Sequence, residues 1–189
     1  MIYMVTTKII FLRHADTEKD PSVNAALWGL SEKGKEQAQE TAQIPLMKSV
    51  DVIYASEEQK TSLTVEPIAK MLGKKINPLA FFNEVKRGDK FLTKEEFEAE
   101  KVRQLEDLSY QAFGGESGLD ALDRFKKGVS DVIEQNKGKT ILIVTHGTVL
   151  TIYFGELMGA YKELPERWNK TAFCAYGIVE DRKIIKDII

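Results

Sequence analysis

The sequence predicts an α/β fold, a three-layer α/β/α sandwich around a mainly parallel central sheet. Short apolar, β-branched runs alternate with stretches of helical periodicity along most of the 189 residues. Two of those runs, Lys8-Ile9-Ile10-Phe11-Leu12 and Thr140-Ile141-Leu142-Ile143-Val144, are apolar at nearly every position, as strands buried on both faces must be. Each run leads directly into one of the chain's two histidines, His14 and His146. The C-terminal ends of strands are where open α/β sheets place their chemistry. A lone histidine there reads as a hydrogen-bonded structural residue. Two, one preceded by Arg13 and one followed by Gly147-Thr148, read as a single site built from two strand ends.

The elements follow in order. After the first strand, Ser31-Glu32-Lys33-Gly34 opens a helix whose apolar positions continue to Ile44, before Pro45. Asp51 to Ala55 is a second strand. A helix from about Gln59 to Leu72 ends at Gly73, and Pro67 is expected to kink or split it. Lys75 and Ile76 suggest a short edge strand before Pro78. Residues 79 to 115 are less regular, but Thr93-Lys94-Glu95-Glu96 is a capping box for a helix running to about Leu108. Gly114-Gly115 breaks the chain. Ser117 to Asn136 is a helix with Leu119, Leu122, Phe125, Val129 and Val132-Ile133 on one face, stopped by Gly138. The second histidine strand follows, then a helix from about Val149 to Met158. Ala172 to Val179 and Lys183 to Ile188 form a terminal hairpin that can run antiparallel. No repeat or linker interrupts the chain, so residues 1 to 189 are expected to form one domain.

Composition narrows the function. A net charge of −2, with no strongly basic stretch, gives no reason to expect nucleic acid. No segment is apolar enough to span a membrane, and Met1-Ile2-Tyr3-Met4-Val5 lacks the features of a signal peptide. The single Cys174 fits a reducing cytoplasm, and its apolar neighbours mark it as packing rather than nucleophile. The histidines lack further ligands at metal-binding spacing, so neither metal nor other cofactor is expected. The oligomeric state is not legible.

Leu12-Arg13-His14-Ala15-Asp16-Thr17 resembles the Arg-His-Gly signature of the histidine phosphatase superfamily, the phosphoglycerate-mutase-like fold. Further motifs follow in that family's order. Leu30-Ser31-Glu32-Lys33-Gly34-Lys35-Glu36-Gln37-Ala38 is similar to its first-helix motif. Asp51 to Ser56 with Lys60 and Thr64 is similar to its second strand and phosphate-contact segment. Glu84 stands where the family carries its proton donor, Gly115-Glu116-Ser117 matches its Gly-Glu-Ser, and Val144-Thr145-His146-Gly147-Thr148 matches the second catalytic histidine motif. Together the matches span residues 8 to 159.

The resemblance implies a metal-independent phosphatase that transfers the phosphoryl group of a phosphomonoester to His14. Glu84 would protonate the leaving oxygen and His146 would complete the catalytic set. Arg13, Lys60, Thr17, Gly147 and Thr148 are the expected phosphate contacts. Covalent catalysis divides one slow displacement into two easier ones, and fixed cations must meet the charge on the phosphoryl oxygens. His14 must then be neutral, His146 is more useful charged, and Glu84 suits its role with a raised pKa. Three positions depart from the family pattern. Lys60 stands in place of the usual Arg, Ala15 in place of Gly, and Asp20 where related mutases often carry Asn; Asp20 is expected to point away. Glu116 and Ser117 read as helix caps, Trp28 and Trp168 as core or pocket wall, and Lys86 and Arg87 as solvated charges that could also meet an anionic tail.

The substrate is expected to be a small phosphorylated metabolite or a phosphoprotein. The alternatives are a protein phosphohistidine phosphatase and a catalytically weak phosphate-binding regulator. A phosphoglycerate mutase is disfavoured, because Val85-Lys86-Arg87-Gly88 lacks the His and Tyr that mutases carry after the acid.

Overall fold

A computed structural model describes residues 6–86 and 93–189. Arg87, considered above for an anionic tail, lies outside the described residues. The strands are β1 (Lys8–Arg13), β2 (Val52–Ala55), β3 (Ile76–Pro78), β4 (Thr140–Thr145), β5 (Tyr176–Glu180) and β6 (Lys183–Lys186), in the spatial order β3-β2-β4-β1-β5-β6. The neighbours β3, β2, β4 and β1 pair in parallel, while β5 and β6 are antiparallel. The helices are α1 (Glu32–Gln43), α2 (Gln59–Leu72), α3 (Lys94–Glu106), α4 (Gly118–Gln135), α5 (Gly147–Met158) and α6 (Leu164–Lys170).

The three layers follow from strand alternation. Ile9, Phe11, Ile141 and Ile143 point into a cluster with Phe125 and Val129 of α4 and Leu150, Ile152 and Phe154 of α5. Ile10, Leu12, Ile53, Leu142 and Val144 point the other way, against Ala42 of α1 and Val65, Ile68 and Ala69 of α2. Successive residues of β1 and β4 thus serve opposite faces of one sheet, which is why both strands are apolar throughout.

Several boundaries differ from expectation. Pro67 does not split α2, whose Val65, Ile68 and Ala69 are buried against the sheet on both sides of the proline. Leu119 is exposed, and Ala121 takes the buried place beside Leu122. The helix expected from Val149 begins two residues earlier, at Gly147, with His146 as its N-cap. The short helix α6 and the 3-10 turns, among them Ala25–Leu27 and Ala80–Phe82, were not expected; they are too short for periodicity to report. The hairpin turns on Asp181 and Arg182, both at positive φ, the conformation that a two-residue type I′ turn needs. No helix among the described residues is long and apolar enough to cross a membrane.

The first-helix motif has a steric cause. Ser31 caps α1 by accepting a hydrogen bond from the Gly34 backbone N–H, and its hydroxyl donates to Asp16 Oδ2 at 2.7 Å. This draws the loop after β1 onto the helix so closely that a Cβ on Gly34 would lie 2.0 Å from the Asp16 carbonyl oxygen. Gly34→Ala is therefore expected to lower the unfolding free energy by about 1–3 kcal/mol through overpacking. Gly29→Ala, where nothing lies within 4 Å of the new methyl, is expected to change it by less than about 0.5 kcal/mol. Urea unfolding of the two variants checks this.

Candidate active site

The register of the parallel sheet assembles the site. Arg13 pairs with Thr145, so the next residues, His14 and His146, emerge side by side. Their ring centroids are 5.1 Å apart in an edge-to-face arrangement. Strand β2 adjoins β4 with Ala55 opposite Val144, which delivers Ser56 and the start of α2 to the same sheet end.

His14 is held from both sides. Its backbone N–H donates to the Thr145 carbonyl at 2.9 Å, and its Nδ1 lies 2.7 Å from the Ala15 carbonyl oxygen. A carbonyl can only accept, so Nδ1 carries the proton and Nε2 keeps its lone pair. Burial pushes the His14 pKa well below the usual imidazole range, and His146, Lys60 and Arg13 add positive charge that lowers it further. The result is a neutral, oriented imidazole. Ala15 is fully buried; its N–H donates to Thr64 Oγ1 at 2.9 Å, and it packs with Leu30 and Ala38. The alanine in place of glycine is thus absorbed by packing.

Arg13 donates through one terminal nitrogen to the Thr171 carbonyl, and its guanidinium lies 4.3 Å from the centroid of the Phe173 ring. Its Nε is buried without a hydrogen-bond partner among the described residues. Gly147 serves Arg13, because a Cβ there would come within 2.9 Å of the guanidinium. The N–H groups at the start of α5 have a different use from the phosphate contact expected of Thr148. Thr148 N–H donates to Glu84 Oε2 and Val149 N–H to Glu84 Oε1, each at 3.1 Å. A helix N-terminus favours an anion, and here the anion is the Glu84 carboxylate.

The pKa of Glu84 departs from expectation. Burial alone would raise it, but Lys101, His146 and the N–H groups of Val85 and Thr148 together hold it far below the usual carboxylate range. These contacts favour the carboxylate form of Glu84. Its segment is fixed by Arg124 of α4, whose guanidinium donates to the carbonyls of Ala80, Phe81 and Asn83 and pairs with Glu116 at 2.8 Å. Glu116 is thus the partner of Arg124 rather than a cap, while Ser117 is the N-cap of α4.

Lys60 is buried, with Nζ donating to the Ala25 carbonyl at 2.7 Å and paired with Glu58 Oε2 at 2.8 Å. It lies 5.7 Å from the Trp28 ring, so Trp28 is a wall beside it. Thr17 is buried and joins Leu30 in an isolated bridge. Asp20 is exposed, and its carboxylate accepts from the Ser22 N–H and hydroxyl. Burial raises the Cys174 thiol pKa, which disfavours the thiolate. No group of three or more His, Cys, Asp or Glu among the described residues is placed to hold a metal ion.

Sequence reasoning missed Glu58, Lys101 and Arg124. Glu58 Oε1 lies 3.3 Å from His146 Nε2, and Ser56 Oγ lies 2.8 Å from the same nitrogen. Lys101, on α3, is fully buried. Glu58 and Lys101 stand outside the residues that the motifs singled out, and the pairing of Arg124 with the Glu84 segment is non-local, so no sequence signal announced them.

The tautomer and charge of His14 give a direct prediction. A lowered pKa means that the folded protein keeps His14 neutral after free imidazole has protonated, at about pH 6.5. Ring 15N shifts of His14 are expected to report the Nδ1–H tautomer at neutral pH and to stay unchanged on acidification to about pH 6. A ring that titrates at the ordinary value would contradict this.

Comparison with known proteins places this architecture. The family model described as "Histidine phosphatase superfamily (branch 1)" matches residues 9–187. Phosphoserine phosphatase 1 of Hydrogenobacter thermophilus is 27% identical over 175 residues, covering 86% of this chain and 80% of its own. Among solved structures, mycobacterial glucosyl-3-phosphoglycerate phosphatase in complex with VO3 aligns with a TM-score of 0.73 at 20% identity, covering 90% of this chain and 91% of its own. A phosphoserine phosphatase mutant of Entamoeba histolytica, in complex with phosphoserine, aligns with a TM-score of 0.73 at 23% identity, covering 91% of this chain and 89% of its own. The chain belongs to the histidine phosphatase superfamily.

Proposed function

We propose that this protein is a metal-independent phosphatase that hydrolyses a small phosphomonoester through a phosphohistidine on His14. The observation that carries the reading is the neutral His14, its Nδ1 anchored on the Ala15 carbonyl and Nε2 left as the nucleophilic nitrogen, beside an arginine whose buried Nε lacks an acceptor among the described residues. Nucleophile and phosphate ligand are adjacent in sequence and fixed by one strand end. The phosphoserine and glucosyl-3-phosphoglycerate phosphatases among the similar proteins point to small phosphorylated metabolites as the substrate class.

In the first step His14 Nε2 forms a bond to phosphorus as the ester P–O bond breaks, and the departing alkoxide takes a proton from Glu84. In the second step water attacks phosphorus, Glu84 takes its proton, the P–N bond breaks, and inorganic phosphate leaves with His14 restored. Arg13, Lys60 and His146 supply positive charge to the phosphoryl oxygens. Glu84 must gain a proton before the first step. The arriving negative charge of the phosphate favours this, as does a substrate that enters as the monoanion and brings the proton with it.

The departures that favoured a phosphate-binding regulator lose force. Ala15 packs into a core cluster, the exposed Asp20 carboxylate is taken up by Ser22, and Lys60 remains a buried cation.

Hydrolysis assays in excess chelator test the reading. His14→Ala is expected to abolish turnover of both an alkyl phosphate and an activated aryl phosphate. Glu84→Gln is expected to lower kcat on the alkyl phosphate by roughly 10²–10⁴-fold while sparing the first step on the aryl phosphate, seen as a burst of the aryl alcohol, because a good leaving group needs no proton donor. For the wild-type protein, kcat/KM on the alkyl phosphate is expected to fall as pH rises from about 5.5 to 8. Full activity in His14→Ala, or loss in chelator, would overturn the proposal.

A further inference from the structure

The Glu58 carboxylate touches the site at several points. Oε2 lies 2.8 Å from Lys60 Nζ. Oε1 lies 3.3 Å from His146 Nε2 and accepts the backbone N–H of Glu84 at 2.9 Å. The side chain is 13% exposed. One anion therefore bridges two groups offered to the phosphate as cations and also holds the backbone of the proposed proton donor. Burial would raise the Glu58 pKa, but His146, Lys60 and the Glu84 N–H keep it below the usual carboxylate range.

We infer that Glu58 is a positioning residue for the phosphoryl-transfer site, the internal counter-ion that keeps the Lys60 ammonium and the His146 imidazolium in place for the phosphate. The inference rests on the phosphatase reading above. Lysine is a point charge on a flexible stem and lacks the planar fork with which arginine fixes itself against an anion. Here the second carboxylate oxygen fixes that stem, and the Ala25 carbonyl holds Nζ from the other side. The first carboxylate oxygen acts on His146. The Glu58 oxygen lies beside Nε2 as an ion-pair partner, while the hydrogen bond of Nε2 is made with Ser56 Oγ at 2.8 Å.

The neighbouring hydroxyls agree. Thr61 Oγ1 lies within donating distance of the carbonyls of Ser56 and Glu58, leaving Ser56 Oγ to give its own proton to Thr61 and to accept from His146. A carboxylate at this distance favours the charged form of the imidazole. Other charged or titratable groups near His146 among the described residues include His14 just after β1, Lys60 of α2, and Glu84, whose carboxylate sits against the N-terminus of α5. His14 is held neutral, so Glu58 and Glu84 are the anions that support the imidazolium.

The test is Glu58→Gln, which keeps the shape of the side chain and removes its charge. Thermal unfolding first shows whether the variant is folded; Glu58→Asp, which keeps the charge, is the second variant should the glutamine fail. Ring 15N shifts of His146 in the folded variant are expected to show loss of the proton about one pH unit lower than in the wild-type protein, a readout independent of turnover. The alkaline limb of kcat/KM is expected to move the same way. The double variant Glu58→Gln/Lys60→Met is expected to lose less than the sum of the two single losses, because once the ammonium is gone Glu58 keeps only its part on His146 and the Glu84 backbone. An unshifted His146 titration in a folded Glu58→Gln protein, or strictly additive losses in the cycle, would overturn the inference. Failure of the phosphatase reading is separate and would show as activity retained in His14→Ala.

Discussion

Arg13 lies opposite Thr145 in the ladder between β1 and β4, and every part of the site depends on that pairing. The strands run in parallel, so they end on the same side of the sheet, and their next residues are the two histidines. A slip of one residue would turn the buried faces of a strand over and separate the rings. The register is enforced by burial: Ile9, Phe11, Ile141 and Ile143 fit one helical layer, and Ile10, Leu12, Leu142 and Val144 fit the other. The core that stabilises the domain is also the device that sets the distance between His14 and His146.

Charge is the second constraint. Arg13, Lys60, His146 and Lys101 bring positive charge to a largely buried region, where unpaired ions are costly. Glu58 and Glu84 balance them, and each carboxylate is also held by backbone N–H groups. That balance is incomplete at Arg13, whose Nε has no acceptor among the described residues, and the proposed phosphate would supply one. The same field keeps His14 neutral, since a protonated imidazole beside those cations would be repelled as well as desolvated.

Much of this was legible in the chain. The alternation of apolar strands and amphipathic helices announced the layers, and the capping box at Thr93 and Glu96 formed as read. Arg13, His14, Lys60, Glu84 and His146 were named from ordered motifs, and the structure brings them to one end of the sheet. What stayed hidden was relational. Nothing in the sequence ties Arg124 to the carbonyls of residues 80 to 83, or places Glu58 between Lys60 and His146, because those contacts depend on how α2 and α4 sit on the sheet. The direction of the Glu84 pKa was hidden for the same reason: its causes are Lys101 on α3 and the N-terminus of α5, far from it in sequence. Gly34 stood in a motif without an evident role and Gly147 was expected as a phosphate contact; what limits each to glycine is its approach to the Asp16 carbonyl and to Arg13.

The most direct test of the account is to catch the intermediate. The wild-type protein would be mixed with a phosphomonoester that it turns over, quenched within the first turnovers in alkali, and digested for peptide mass analysis. A phosphate that is stable in alkali and labile in acid is expected on the peptide containing His14 and absent from His14→Ala. Rapid turnover with no phosphate on that peptide, or with phosphate on another residue, would contradict it.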